Sequence, residues 1–325
     1  MRRWLRRRRH GEWTGKPIRR RDAAPGCLRS ACNDAVLSAP ILISAIVNGL
    51  LTGSVYALVA LGLTLIYGVL HIINFAHGAL LSAALFAAFF AYQKAGIDPY
   101  LATFLLAPAF FGCGYILQRC VIGPAARGDE RAMLLVTLGL AVLIENALLY
   151  AFRADTRTID LPYAFKTVDV AFTFVAVPRL ISFAVVFLVT LALWLMMTLT
   201  DTGKAIRAVA REKLGAELAG IDVAHIYAMT FGIGTACVAI AACLLIPTYY
   251  VNPSAGNAFV LVAFTIVVLG GMGSVPGALI GGLVIGVVES LGGFFFGESL
   301  GQAGIFLIFI AVLLLRPRGL FGANS

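Results

Sequence analysis

Asp201 to His225 reads DTGKAIRAVAREKLGAELAGIDVAH, and it is the longest charged interruption in the apolar part of a 325-residue chain. Its spacing predicts a helix. Lys204, Arg207 and Arg211 fall three and four residues apart and so share one face, with Ala208 beside it. Ile206, Val209, Leu214 and Leu218 give a broken apolar stripe. Gly220 is placed to end the helix. A basic segment of this kind between two apolar runs either docks a soluble partner or is a solvated loop that touches nothing.

The flanking composition decides the fold class. The chain is 60% hydrophobic and 13% charged, with a mean hydropathy of +0.93. One soluble core of this size cannot hide so much apolar surface. The expected fold is an all-α, polytopic transmembrane helix bundle. Its 34 glycines suit close helix packing in lipid. The net charge of +9 is unevenly placed: residues 1–35 carry 11 Lys/Arg against 3 Asp/Glu, and residues 36–325 carry 14 against 13. The body is thus nearly neutral, which gives no footing for nucleic-acid binding. Of the six cysteines, Cys113, Cys120, Cys237 and Cys243 sit within or at the end of apolar runs, where cysteine behaves as a small hydrophobe. Cys27 and Cys32 have no histidine or acidic company, so neither a metal site nor a disulfide framework is expected.

Taken in order, the apolar runs are Ile41–Tyr67, Ile72–Tyr92, Tyr100–Leu117, Ala132–Phe152, Leu180–Leu199 and Ile226–Val251. Asn257–Leu291 is too long for one span. Its centre, GGMGSVPGALIGG, holds Gly270, Gly271, Gly273 and Gly277, and these with Ser and Pro break it into two spans or two re-entrant halves. Ile305–Leu315 is the last run. Eight or nine crossings follow. Between the fourth and fifth runs, VDVAFTFVAV alternates and predicts a short strand pair.

Positive charge orients the bundle. Lys204, Arg207, Arg211 and Lys213 place the loop 201–225 in the cytoplasm; Arg119, Arg127 and Arg131 place the third-to-fourth loop there, and Arg316 and Arg318 the C-terminus. These agree with one another and put residue 40 outside. A basic tail at residues 1–35 then sits on the wrong side. The tail is expected either to lie disordered on anionic lipid or to be absent from the natural protein, with translation starting near Val36.

Catalytic patterns are missing. The sequence has no G-x-x-x-x-G-K-[ST], H-E-x-x-H or G-x-S-x-G. No cofactor, metal or catalytic residue is expected. Polar residues within apolar runs are the candidates for function. Asn48, Thr52 and Ser54 lie in the first run, and Asn74 and His77, three apart, open the second; together they can line a polar route for a small zwitterion or serve as caps and packing contacts. Glu145 and Glu289 are ionisable groups inside apolar runs, either on a pathway, as proton carriers included, or in an interhelical hydrogen bond. Neither has a basic partner that the sequence identifies.

Several stretches resemble one family. NGLLTGSVYALVALGLTLIYGVLHIINFAHGALL (Asn48–Leu81), GKAIRAVA followed by LAGID in the charged loop, VVLGGMGSVPGALIGGLVIGVVES (Val267–Ser290) and LLLRPRGLFG (Leu313–Gly322) resemble the LivH-type permease subunit of bacterial branched-chain amino acid ABC importers. Leu214, Gly215 and Ala216 stand where that family tends to carry an E-A-A-like triplet. The resemblance implies a permease domain over residues 36–325 in the bacterial inner membrane, with 201–225 as its cytoplasmic coupling loop. Lys204, Arg207, Ala208, Arg211 and Gly220 would carry the coupling. It also implies a non-enzymatic transport subunit for branched-chain or similar small apolar amino acids. Its partners would be two ATP-binding subunits, a second permease, an extracytoplasmic substrate-binding protein and membrane lipid. The alternatives are a urea or short-chain amide importer, a proton-coupled secondary amino acid carrier, and a non-transporting scaffold.

Overall fold

The computed structural model describes residues 39–126, 130–164, 166–170, 173–315 and 319–320. The basic segment 1–35, Arg127, Arg316 and Arg318 lie outside the described residues. In chain order the elements are α1 (Ala39–Leu70), α2 (Ala76–Ala95), α3 (Pro99–Leu117), α4 (Glu130–Phe152), β1 (Thr167–Val170), β2 (Thr173–Ala176), α5 (Val177–Leu199), α6 (Asp201–Arg211), α7 (Lys213–Leu218), α8 (Val223–Leu245), α9 (Ala255–Gly270), α10 (Val275–Phe296) and α11 (Glu298–Leu315). Helix α3 runs on through a π-turn at Gln118–Ile122 and one α-turn at Gly123–Ala126.

Among the described residues, α1 to α5, α8 and α10 are long and apolar enough to cross a membrane; α9 and α11 are shorter apolar helices. The eight or nine expected spans are therefore seven full-length helices and two short ones. Only helices keep every backbone N–H and C=O paired within a lipid-embedded segment, which is why apolar composition alone dictates this class. The alternating VDVAFTFVAV stretch forms the antiparallel pair β1–β2, with Val168 opposite Val175.

Helix ends follow local chemistry. Asp98 caps α3 by accepting from the Tyr100 N–H at 2.9 Å, with Pro99 at the first turn. Ser274 caps α10 by accepting from the Gly277 N–H at 3.2 Å. Between α9 and α10, Gly271 and Gly273 have φ of 94° and 88°, a backbone shape that L side chains resist. The second helix starts later than its apolar run. His71 adopts φ 54°, and Asn74 lies ahead of the helix, its Oδ1 accepting from the Ala76 N–H at 3.1 Å. Asn74 and His77 therefore do not share a helical face.

The centre of the bundle is α1, α2 and α8. In their apolar spans 83%, 67% and 83% of residues are buried, against 11% in α4 and 17% in both α3 and α5. The most extensive helix contact is between α1 and α10. Gly49, Gly53 and Ala57, four residues apart, meet Gly282, Gly286 and Ser290, also four apart. A Cβ on Gly53 would lie 2.5 Å from the Gly282 carbonyl oxygen, and one on Gly49 2.8 Å from that of Gly286. Ser290 Oγ extends the seam by donating to the Ala45 carbonyl at 2.7 Å. Small residues at this spacing let two backbones touch, which is the main source of helix attraction where lipid is as apolar as leucine.

Replacing Gly53 or Gly286 by valine forces the two backbones apart, because the blocking atoms are main chain and cannot rotate away. Overpacking of this kind costs about 1–3 kcal/mol, so a clear fall in the thermal midpoint of the detergent-solubilised chain is expected. Gly112→Ala on α3 meets nothing within 4 Å and should leave the midpoint unlowered. Equal midpoints for the valine and alanine variants would show that the seam does not hold the bundle.

Candidate functional site

Two regions at opposite ends of the bundle gather polar side chains. At the end that carries the β1–β2 hairpin, a cavity of about 540 Å³ opens between α1, α9, α10 and α11. Tyr56, Phe259, Val262, Glu289, Gln302, Ile305 and Phe306 are among its lining. Tyr56, Tyr249 and Phe259 also wall a second space of about 100 Å³, which Thr52, Arg179, Ser182 and Thr248 line on its far side. The three rings pack edge to face, Phe259 lying 5.8 Å from Tyr56 and 4.9 Å from Tyr249. The Tyr56 hydroxyl faces the Glu289 carboxylate. Arg179, at the start of α5, donates through Nη1 to Asn48 Oδ1 at 3.0 Å.

Of the polar residues singled out in sequence, Asn48, Thr52 and Glu289 reach this region and the others do not. Ser54 is fully buried, its hydroxyl donating to the Leu51 carbonyl at 2.7 Å. His77 is also fully buried. Its Nε2 lies 2.9 Å from the Val59 carbonyl, which makes that nitrogen the protonated one. Its Nδ1 and the Asn74 amide nitrogen find no partner among the described residues. Glu145 accepts from Asn257 Nδ2 at 3.1 Å, a bond between α4 and α9. Sequence reasoning missed Arg179, Tyr56, Tyr249 and Phe259. Arg179 reads there as the edge of an apolar run, and the aromatics read as ordinary span residues. No three His, Cys, Asp or Glu among the described residues stand close enough to hold a metal ion.

The other end is built on α6 and α7, which link α5 to α8. Thr200 caps α6, accepting from the Gly203 N–H at 3.1 Å. Gly203 is pressed against the end of α5, where a Cβ would lie 2.6 Å from the Met197 Cα. Ile206 and Val209 are buried, while Lys204, Arg207 and Arg211 are exposed and Ala208 is half-buried. The single helix expected in sequence is interrupted. Glu212 adopts φ −152° and caps α7 through the Leu214 N–H, which re-aims the chain. Leu214 and Leu218 consequently stand 63% and 83% exposed rather than continuing the buried stripe. Gly220 follows with φ 83°.

This end is tied down by polar contacts. Helix α6 packs on α5, α1 and α8. Asp222 caps α8 through the His225 N–H at 3.0 Å and lies 3.5 Å from Arg119 Nη1 on the extension of α3. That N–H first, and Arg119 after it, hold the Asp222 carboxyl below the usual carboxylate range. Tyr115 and His225 share a hydrogen bond of 2.9 Å between α3 and α8. The Lys204 ammonium pairs with Asp201 at 2.9 Å and lowers its carboxyl in the same way.

Comparison with known proteins gives this geometry a family. The sequence profile described as branched-chain amino acid transport system / permease component matches residues 45–315. The high-affinity branched-chain amino acid transport system permease protein BraD of Pseudomonas aeruginosa is 35% identical over 293 residues, which cover 85% of this chain and 94% of that protein. The corresponding LivH proteins of Salmonella typhimurium and Escherichia coli K12 are 33% and 32% identical, over the same shares of each chain. This multi-pass membrane protein, whose family is one of transport subunits and not of enzymes, belongs to the permease components of branched-chain amino acid transport systems.

Proposed function

We propose that the chain is an inner-membrane permease subunit of a bacterial ABC importer, and that it carries branched-chain or similarly small apolar amino acids. Residues 36–325 act as one permease domain. The end bearing α6 and α7 faces the cytoplasm, as does the C-terminus, and the hairpin end faces the substrate-binding protein. Two ATP-binding subunits hydrolyse ATP, and a second permease completes the pathway along the sparsely buried outer helices. The observation that carries this reading is the seating of α6. It is a basic, exposed helix whose buried side is packed on three spans, in a chain of this family.

The mechanism follows from that seating. A helix held only by solvent would dissipate a push. Here Gly203 abuts α5, and Ile206 and Val209 are buried, so displacement of α6 is transmitted to the spans as rigid-body motion. The exposed Lys204, Arg207 and Arg211, with Ala208 at the boundary, offer a cationic face to an ATPase subunit; Leu214 and Leu218 add an apolar patch. Net transport requires that the ATPase hold this face differently in its two states, since a contact of equal strength in both shifts nothing.

Leucine uptake by the reconstituted complex is expected to require ATP and the binding protein; uptake driven by a proton gradient through this chain alone would replace the reading with a secondary carrier. Ala208→Asp sets a charge at the docking boundary, and Gly220→Pro demands a negative φ where the backbone holds 83°. Each is expected to lower uptake by about tenfold or more, a loss on the scale of one disrupted charged or polar contact, while membrane insertion is retained. Normal uptake in both would remove the docking role. An amine reagent that cannot cross membranes should modify Lys204 and Lys213 in inverted vesicles and not in intact cells. Labelling from the cell exterior would overturn the orientation.

A further inference from the structure

Glu289 and Arg179 are charged side chains in a lipid-embedded bundle, and neither has an opposite charge within ion-pair distance among the described residues. An unpaired ionisable group among apolar helices is costly and, where kept, marks a pathway or a binding group. The two line neighbouring cavities that share three aromatic side chains. Glu289 lines the larger cavity and Arg179 the smaller, and Tyr56, Tyr249 and Phe259 line both. Tyr56 feels both charges, facing Glu289 directly. Arg179 donates through one nitrogen to Asn48, which holds the guanidinium in place, and the fork carries further N–H donors.

An anion, a cation, and an apolar floor between them complement one kind of ligand. A free amino acid at neutral pH carries an ammonium and a carboxylate on one carbon and an uncharged side chain beside them. The ammonium suits a carboxylate backed by ring faces. The carboxylate suits the planar fork of a guanidinium. Val262, Ile305 and Phe306 leave apolar surface for a branched side chain. An uncharged solute such as urea takes hydrogen bonds from these groups but brings no charge to pair with either.

We propose that the two neighbouring cavities form a transfer site for the amino acid zwitterion, with the ammonium turned toward Glu289 and Tyr56 and the carboxylate toward Arg179. This inference rests on the importer reading and names the residues by which that importer receives its substrate.

The test uses the full complex in proteoliposomes, with saturating leucine-loaded binding protein outside. Glu289→Gln and Arg179→Gln are each expected to cut leucine uptake by about tenfold or more, the scale of a lost charged hydrogen bond. Complex assembly and ATPase stimulation by the binding protein should persist, and Glu289→Asp should retain most uptake. If the wild-type complex moves no leucine, the importer reading fails and the site with it. If wild-type uptake is normal and both glutamine variants match it, the site is overturned and the importer reading stands. Should a glutamine variant not assemble, Glu289→Met or Arg179→Met decides by the same criterion, since each keeps the bulk of the side chain and removes its charge.

Discussion

The backbone contact between α1 and α10 is the constraint on which the rest of the molecule depends. In water, two helices are driven together by apolar burial; in lipid that force is absent, and attraction comes from the closeness of packing. Gly49 and Gly53 against Gly282 and Gly286 supply that closeness, and the seam also aims the polar groups. Asn48 immediately precedes Gly49, and Glu289 immediately precedes Ser290, which bonds back to α1. The positions of the carboxylate on α10 and of the amide that holds Arg179 are thus consequences of where two glycine ridges cross.

The opposite end is governed by a different force. There the backbone leaves the apolar layer, and polar caps and ion pairs determine the path. Thr200, Glu212 and Asp222 each accept from a backbone N–H at the start of α6, α7 and α8 in turn. This succession of caps turns one charged segment into two short helices and a return. Arg119 and Tyr115 link the return to α3, so the proposed lever bears on several spans rather than on α5 alone. In the proposed role, that breadth is what lets a cytoplasmic push reorient the bundle instead of bending one helix.

Much of this was legible from residues alone, and the limits of that legibility are physical. The apolar runs correspond to helices because a continuous apolar run about 20 residues long pairs its own backbone in lipid only as a helix. VDVAFTFVAV correspondingly forms the strand pair, since alternation and β-branching favour a pleated ribbon. The second helix was placed too early because the positive φ of His71 and the Asn74 cap are not visible in a hydropathy pattern. Leu214 and Leu218 share an apolar stripe with Ile206 and Val209 only if one helix runs through Glu212, and the extended backbone there breaks the register. Glu289 stood out in sequence as a charge in an apolar run, but Arg179 and Tyr56 did not.

Composition, charge placement and motif spacing by themselves determined the class, the number of apolar segments, the basic segment between α5 and α8, and the family resemblance, because each depends on local chemistry along the chain. Tertiary structure alone decided which polar residues meet. Residues 48, 56, 179 and 289 are scattered along the chain on helices that are apolar on nearly every side, and Tyr249 lies in the link between α8 and α9, so no stripe of polarity reveals which face turns inward. That rotation is set by main-chain atoms touching across glycines, and such a contact exists only once the helices are packed.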